Sequence, residues 1–452
     1  MVKHIERQKM HAGLPKSRYP KVILRTLLLA IVMICIIGVL YKLNAPGDVG
    51  AKFLATQSKP IQSSNQKKTA HGVLIDKSQP VEISNEAVGG LIRQANPAYS
   101  GKTQAIRWIK FRYQMQDEAG TIIPATARVY YPVAGEKLPV LGFAPGTTGI
   151  DDSCAASAEV PAKRNWANYP SHMASYAANG YAAVIVDYEG MGDPSRIHHY
   201  MIGDLEGRAL LDAVRTLTGI DSVAPKIDSS PGTILAGYSQ GGHAAFWADQ
   251  IASSYASDVT IKGVVGFGPV TDVKTTLTDT TRGANILWFG PYILRSYQDW
   301  YRENYGVNTI LKSPFSENLN ADIAKNCIDT NIAYWGNRDI TKVYTSQFIQ
   351  AMKGSSLAAF SPSLDRRLDE NQVGTTKTST PKLINHGQND NVVLPSQSSV
   401  ALRRLCASGS QVYLKIYPTA THYNTMILSL NDSLAWMKQA LSGEKTATSC
   451  TN

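Results

Sequence analysis

The run Thr233-Ile234-Leu235-Ala236-Gly237-Tyr238-Ser239-Gln240-Gly241-Gly242 decides the fold. Its first four residues are typical of a buried strand, and a helical pattern begins directly after Ser239. Between them stands a Gly-x-Ser-x-Gly motif, whose turn holds a serine in a strained backbone conformation with its hydroxyl above the sheet. The motif alone is short enough to arise by chance. Strand, tight turn and helix together predict that Ser239 is a nucleophile.

The chain on both sides of this run alternates between short β-rich segments and helical ones. The predicted strands cover 106–113, 125–131, 139–144, 181–187, 232–237, 261–266, 382–385 and 411–417. The predicted helices cover 166–179, 208–217, 240–254, 395–407 and 431–441. After an opening strand meander, this alternation indicates right-handed crossovers and a mostly parallel sheet. We therefore predict an α/β core formed by residues 96–271 and 380–445.

A serine hydroxyl is a poor nucleophile unless a base lies within hydrogen-bond reach and a carboxylate orients that base. His422 fits the base, because it follows the last predicted strand, where a loop can carry it over Ser239. Asp390 fits the acid, because it follows the end of the preceding predicted strand. Asp272, after the strand 261–266, remains an alternative acid. The order serine, acid, histidine is the one found in this kind of fold.

Ester or amide cleavage through such a serine forms an oxyanion, which preorganised N–H groups must stabilise. The main-chain amide of Gln240, directly after the nucleophile, is one predicted donor. The second is expected from the loop after the third strand, Ala144-Pro145-Gly146-Thr147-Thr148-Gly149. Proline has no N–H, so Thr147 or Thr148 is the predicted second donor.

Residues 272–379 interrupt the alternation after the sixth predicted strand and are rich in aromatic side chains. We call this segment the cap and predict that it is mostly helical and covers the carboxyl edge of the sheet. Trp288, Phe289, Tyr292 and Trp300 form its aromatic stripe. This stripe is either the hydrophobic core of the cap itself or a wall that binds an acyl chain.

The formal net charge of +10 is concentrated in the N-terminal part of the chain, and the chain beyond residue 80 is close to neutral. Nucleic acid is therefore not expected as a partner. Eight Lys and Arg residues against Glu6 make +7 of that total up to Leu43. We predict a basic cytoplasmic tail at 1–21, a transmembrane anchor or uncleaved signal at 22–43, and a tether and lead-in at 44–95. The catalytic domain is then membrane-anchored outside the cytoplasm, or secreted if the signal is cleaved.

Four of the five cysteines lie beyond the membrane segment: Cys154, Cys327, Cys406 and Cys450. An even number in an oxidising compartment favours structural disulfides, for which three pairings are possible. No Cys-x-x-Cys occurs and the nine histidines are scattered, so no metal site is expected. No cofactor is predicted either.

Several segments together resemble the secretory lipase family, a group of α/β-hydrolase triacylglycerol lipases of bacteria and fungi. The matching runs are Gly146 to Gly149 leading to Cys154, Gly180-Tyr181 to Asp187-Tyr188-Glu189-Gly190, Glu206-Gly207-Arg208, Gly237 to His243, Gly387 to Asp390, and His422. The resemblance implies an α/β-hydrolase fold, a triad of Ser239, Asp390 and His422, and disulfides Cys154–Cys327 and Cys406–Cys450. Two features depart from it: Pro145 stands where many bacterial members have histidine, and the family is usually secreted through a cleaved signal.

The chemistry so predicted is hydrolysis of lipid or other apolar carboxylic esters through an acyl-enzyme on Ser239. Short soluble esters are the alternative substrates. A serine peptidase is disfavoured because the sequence shows no propeller or other large recognition domain. A non-catalytic envelope protein is disfavoured because acid and base follow the serine in order. Asp187, Glu189 and Glu206 are expected to be structural carboxylates.

Overall fold

The computed structural model describes residues 71–450 except 161–164, 229, 325, 336–338 and 355. The predicted basic tail, the predicted membrane segment 22–43 and most of the tether therefore lie outside the described residues. Among the helices that are described, none has the length and apolar character needed to cross a bilayer.

One sheet of ten strands runs through the described part of the chain. The strands are β1 (Val73–Lys77), β2 (Val81–Ile83), β3 (Ile106–Gln116), β4 (Ile122–Pro132), β5 (Val140–Ala144), β6 (Ala182–Val186), β7 (Thr233–Tyr238), β8 (Ile261–Phe267), β9 (Lys382–Gly387) and β10 (Val412–Tyr417). Their order is β1-β3-β4-β6-β5-β7-β8-β9-β10, with β2 beside β3. The pairs from β6 to β10 are parallel and the others antiparallel, so the predicted mostly parallel sheet is confirmed.

Helices cover both faces of this sheet. They are α1 (Asn85–Ala95), α2 (Tyr169–Ala178), α3 (Gly203–Thr216), α4 (Ala224–Ile227), α5 (Gln240–Tyr255), α6 (Val273–Asp279), α7 (Phe289–Tyr301), α8 (Val307–Ile310), α9 (Phe315–Ala324), α10 (Ile328–Trp335), α11 (Ile340–Val343), α12 (Ser346–Lys353), α13 (Leu357–Phe360), α14 (Pro362–Glu370), α15 (Pro395–Ala407), α16 (Thr425–Leu428) and α17 (Leu430–Ser442). Leu210 of α3 and Phe246 of α5 belong to one hydrophobic cluster, and Met173 of α2 and Trp436 of α17 to a second. Because both faces are packed, every residue of β5, β6 and β7 is buried.

The described residues include the second part of the range that the sequence assigned to tether and lead-in, and this part contains strands and a helix. Strands β1 and β2 pair with β3, and α1 packs on α2. Ser84 caps α1, since its hydroxyl accepts a hydrogen bond from the Ala87 N–H. The residues of β1 and β2 are mostly exposed or half-buried. Strands at a sheet edge need no apolar run, which is why the sequence pattern did not reveal them.

The cap follows β8, the sixth of the predicted strands, and contains helices α6 to α14. A disulfide between Cys154 and Cys327 joins it to the loop after β5. The Ile328 N–H also donates to the Thr148 carbonyl at 2.8 Å. A second disulfide, Cys406–Cys450, ties the chain end to α15. Both bonds have the pairing that the resemblance implies.

Candidate active site

Ser239 stands between β7 and α5 with φ 56° and ψ −115°, a backbone conformation that non-glycine residues rarely adopt. The tight turn is possible because Gly237 lacks a side chain. A Cβ at Gly237 would lie 1.9 Å from the Gly241 carbonyl oxygen, closer than two non-bonded heavy atoms can approach. The strained serine at a strand-to-helix turn is the arrangement that the sequence motif predicts.

Asp390 and His422 are brought together by the loops after β9 and β10. His422 Nδ1 lies 2.7 Å from Asp390 Oδ2, and both side chains are buried. The other carboxylate oxygen, Oδ1, accepts the N–H groups of Val392 and Val393 at 2.9 Å each. Four donors therefore converge on this carboxylate, because His386 Nε2 lies 3.3 Å from Oδ2 as well.

These contacts decide the charge of the predicted acid. Burial acts to raise the pKa of Asp390, but the charge of His422 and hydrogen bonds from His386 and His422 outweigh it. The pKa of Asp390 is therefore well below its usual range, and the side chain remains a carboxylate that can orient His422.

The residues next to Ser239 link it to this pair. The ring of Tyr238 lies 4.9 Å from that of His422. Gly268 packs directly against the pair, since a Cβ at this position would lie about 3 Å from both Asp390 and His422. The carbonyl of the preceding residue, Phe267, accepts the Ser239 N–H at 2.9 Å. Among the described residues, Ser239 and His422 share no hydrogen bond. Such bonds are often long in empty sites and tighten when substrate binds.

Asp272, the alternative acid, has other partners. Its Oδ1 accepts the Thr275 N–H at 2.8 Å and caps α6, and its Oδ2 pairs with Arg404 at 3.0 Å. Gln372 also donates to Oδ2. Both oxygens are thus used to anchor the start of the cap, which favours Asp390 as the acid.

Three tyrosines hold the loop that is predicted to supply the second oxyanion donor. Tyr188 Oη donates to the Pro145 carbonyl at 2.6 Å, and Tyr169 Oη accepts the Gly146 N–H at 2.7 Å. Tyr200 Oη lies 2.8 Å from Thr147 Oγ1. Because the Gly146 amide is engaged, the candidate donors remain the amides of Thr147 and Thr148. Sequence reasoning missed these tyrosines, since nothing in the pattern ties them to a loop so far away in the chain.

The four residues of the aromatic stripe lie in two separate parts of the cap. Trp288, Phe289 and Tyr292 are buried and pack on one another, with ring centroids 5.7–6.2 Å apart for Trp288 and its two neighbours. Trp300 lies twelve residues after Trp288, a rotation of about 120° along a helix. Its ring centroid lies 5.0 Å from that of His199, with the two rings tilted by 54°. With Arg295 and Asp299 it lines a polar cavity of about 1080 Å³. The structure therefore does not bring Trp300 together with the other three.

The acidic residues that were expected to be structural have buried partners. Asp187 accepts the Ser157 N–H and hydroxyl, and Glu189 lies 3.0 Å from His199 Nδ1. Asp299 of the cap bonds the other nitrogen of that ring at 2.9 Å, so His199 links core and cap. Within the described ranges, no group of three or more His, Cys, Asp or Glu side chains could hold a metal ion.

Solved structures with a similar fold include esterases and lipases. The rice cell wall degrading esterase LipA from Xanthomonas oryzae superposes with a TM-score of 0.70 at 18% identity, covering 83% of this chain and all of that one. Candida antarctica lipase A in its closed state gives a TM-score of 0.61 at 19% identity, covering 84% of each chain. The chain thus has the α/β-hydrolase fold, and that prediction is confirmed.

Sequence comparison places the chain more narrowly. The family model described as secretory lipase matches residues 171–449, and the chain belongs to this family. Lipase A of Moesziomyces aphidis is 24% identical over 422 residues, 90% of this chain and 80% of that protein. A secreted triacylglycerol lipase of Malassezia globosa is 26% identical over 281 residues, which span 60% of this chain and 56% of that lipase. The predicted carboxylic ester hydrolase is confirmed by these relatives.

Proposed function

We propose that the protein hydrolyses carboxylic esters through an acyl-enzyme on Ser239, with His422 as base and Asp390 as the acid that orients it. The observation that carries the proposal is the convergence of a positive-φ serine after β7 with the 2.7 Å Asp390–His422 pair after β9 and β10. Carboxyl ends of parallel strands meet at one edge of a sheet, so these loops share that edge.

In the proposed reaction, Ser239 Oγ attacks the ester carbonyl carbon while His422 Nε2 takes the hydroxyl proton. The tetrahedral oxyanion is stabilised by the main-chain N–H of Gln240 and by that of Thr147 or Thr148. Collapse breaks the bond to the alcohol, which leaves with the proton from His422. Water, deprotonated by the same nitrogen, then attacks the acyl carbon. The bond from that carbon to Ser239 Oγ breaks, His422 returns the proton to Oγ, and the carboxylic acid is released.

We propose lipids or other apolar esters as substrates. The cluster of Trp288, Phe289 and Tyr292 supports this, because Phe289 and Tyr292 pack on Tyr200, which contacts Thr147 of the predicted oxyanion loop. Apolar side chains near the site suit an acyl chain. The names of the relatives from Moesziomyces and Malassezia agree with it. Short soluble esters are the second candidate. One similar protein, 24% identical over 304 residues, is named an esterase rather than a lipase: the trichothecene C-3 esterase of Fusarium sporotrichioides.

Two measurements test the proposal. A fluorophosphonate probe labels the purified protein, and labelling is absent in Ser239→Ala; labelling that persists in this variant rules out Ser239 as the nucleophile. Hydrolysis of a series of esters, below and above their solubility limits, separates the two substrate classes. Rates that peak at medium or long chains support the lipid assignment. Rates that peak at two to four carbons, with no rise above solubility, support the soluble-ester alternative.

We propose that the catalytic domain works outside the cytoplasm. Disulfides persist in oxidising compartments, and two are present. Family membership favours release of the domain, whereas the apolar segment 22–43 favours retention at the membrane through an uncleaved anchor. Cell fractionation with an N-terminal sequence of the mature protein decides between them: a mature N-terminus beyond residue 43 rules out the anchor.

A further inference from the structure

Glu206 is a fully buried carboxylate beneath the turn that carries Ser239. Its Oε1 accepts hydrogen bonds from Gln240 Nε2 at 2.7 Å and from the Met201 N–H at 3.0 Å. Its Oε2 lies 2.8 Å from His243 Nδ1. The side chain has no exposed surface, so these bonds replace all of its hydration. Neither of the predicted catalytic steps uses it.

The packing of two helices brings this carboxylate to the nucleophile turn. Glu206 lies in the first turns of α3, and the next residue, Gly207, contacts α5. A Cβ at Gly207 would lie 2.8 Å from the Ala248 main-chain nitrogen, so only glycine permits this close approach. Because α3 and α5 nearly touch there, Glu206 reaches the first turn of α5, where Gln240 and His243 stand one above the other.

Gln240 is the residue through which Glu206 can affect catalysis. It is the first residue of α5, and its main-chain N–H is the proposed oxyanion donor. Its side-chain NH₂ group is held twice, by Glu206 and by His198 Nε2, each at 2.7 Å. Burial and the neighbouring His199 lower the pKa of His198 to about 3, so His198 is neutral and accepts at Nε2. The side chain of Gln240 is thereby fixed.

The same contacts extend to the loop that carries the second proposed donor. The ring of His198 stacks on Tyr188 at 4.8 Å, and Tyr188 Oη donates to the Pro145 carbonyl. The link from Glu206 to His198 passes through the Gln240 NH₂ group, which donates to both side chains. Glu206 is thus connected to both proposed parts of the oxyanion hole, the Gln240 amide and the loop at Pro145.

We propose that Glu206 is a positioning residue of the oxyanion hole, which fixes the Gln240 amide and, through His198 and Tyr188, the loop at Pro145. The inference rests on the proposed function, in which Ser239 forms an acyl-enzyme. It assigns no proton transfer and no substrate contact to Glu206.

Glu206→Gln tests this role while keeping the size of the side chain. Its remaining oxygen can still accept from Gln240 Nε2 and the Met201 N–H, so the new NH₂ group faces His243 Nδ1. The negative charge that strengthened these bonds is lost, and the hold on the Gln240 side chain weakens. We expect kcat for a soluble p-nitrophenyl ester to fall about 30-fold, part of the roughly 100- to 1,000-fold effect of losing an oxyanion donor, with KM unchanged. The affinity for an alkylboronic acid, which forms a tetrahedral adduct with serine, should fall in parallel.

Asp212→Asn is the matched control. Asp212 is a second fully buried carboxylate of α3, bonded to His71 at 2.7 Å and to Tyr255 at 2.5 Å, neither of which belongs to the nucleophile turn. We expect it to lower the thermal midpoint but to retain kcat and boronic acid affinity. If Glu206→Gln retains both, or if its kcat falls no more than that of Asp212→Asn, the proposal is overturned.

Gln240→Met gives a second test that does not depend on the folding of the Glu206 variant. It keeps the main-chain N–H but removes both side-chain bonds, and should reduce kcat and boronic acid affinity without raising KM. Unchanged kcat in this variant also overturns the proposal. Failure of the proposed function has a different signature: wild-type protein then shows no fluorophosphonate labelling that depends on Ser239.

Discussion

Asp390→Asn tests how the proposed acid controls the proton on His422. In the native site, Oδ1 accepts two main-chain N–H groups and Oδ2 faces His422 Nδ1. An asparagine keeps its oxygen toward the two amides, because only an oxygen can accept from them. Its NH₂ group then donates to His422 Nδ1, which places the ring proton on Nε2. That nitrogen can no longer take the proton of Ser239.

The expected loss follows from this tautomer rather than from a change of shape. The side chains of Asp and Asn are nearly isosteric and the 2.9 Å bonds to Val392 and Val393 remain, so KM should be unchanged. Holding the histidine in the wrong tautomer reduces kcat by about 10⁴-fold in a serine triad. This corresponds to about 5.4 kcal/mol of transition-state stabilisation. Steady-state hydrolysis of a soluble p-nitrophenyl ester measures it.

Asp272→Asn is the control, because Asp272 is the other acid that the sequence allows. It should lower stability by loss of the Arg404 pair but keep kcat, since its oxygens bind Thr275, Gln372 and Arg404 rather than His422. If Asp390→Asn keeps more than about a tenth of the wild-type kcat, the tautomer argument is refuted. If Asp272→Asn shows the large loss instead, the acid is misassigned.

Three further perturbations have defined outcomes. Cys406→Ser with Cys450→Ser opens a loop of sequence separation 44 and should lower the free energy of unfolding by about 4 kcal/mol, read from denaturant unfolding; an unchanged midpoint contradicts this. Burial acts to lower the pKa of His199, but hydrogen bonds and charges from Glu189 and Asp299 outweigh burial and raise the pKa above 6.5. The stability that His199 contributes is therefore full below pH 6.5 and is lost as the pH rises through the raised pKa. The difference in thermal midpoint between wild type and His199→Asn should therefore shrink as the pH rises, and a difference that is constant or grows refutes the link. Gly237→Val adds a side chain that overlaps the Gly241 carbonyl group, so the turn cannot form and fluorophosphonate labelling of Ser239 should be abolished. Labelling that is retained would contradict this.

The sequence predicts elements of the α/β core more closely than it predicts the edge strands. Helix 395–407 was predicted at its observed bounds, and β7 differs from its prediction by one residue at each end. In both cases apolar periodicity and a turn signal agree with the tertiary structure. The edge strands β1 and β2 have no such pattern, because one face and one edge of each are open to solvent. Their pairing with β3 is a property of the assembled sheet.

Some residues of the candidate site could likewise be predicted from the sequence, and others could not. Ser239, Asp390 and His422 follow strand ends, so a strand pattern is enough to propose them. Glu206 lies within a helix, and its partners Gln240 and His243 are 34 and 37 residues away, on a helix whose crossing angle the sequence does not encode in any local pattern. The predicted grouping of Trp300 with the other three aromatic residues is wrong for a related reason. Its position depends on where α7 ends and on how that helix is rotated about its axis. Side chains that act through packed helices therefore need the structure.

The buried histidines show what separates a base from a structural partner. His199 binds Glu189 with one nitrogen and Asp299 with the other, and His386 binds Ser398 and the Val393 carbonyl. A ring with both nitrogens engaged cannot exchange a proton with a substrate without breaking a buried bond. His422 also lies beside a carboxylate, but within the described residues its hydrogen bonding is confined to Nδ1. Proximity to an acid is thus common among these histidines, whereas an Nε2 that no described residue engages supports the proposal of His422 as the base.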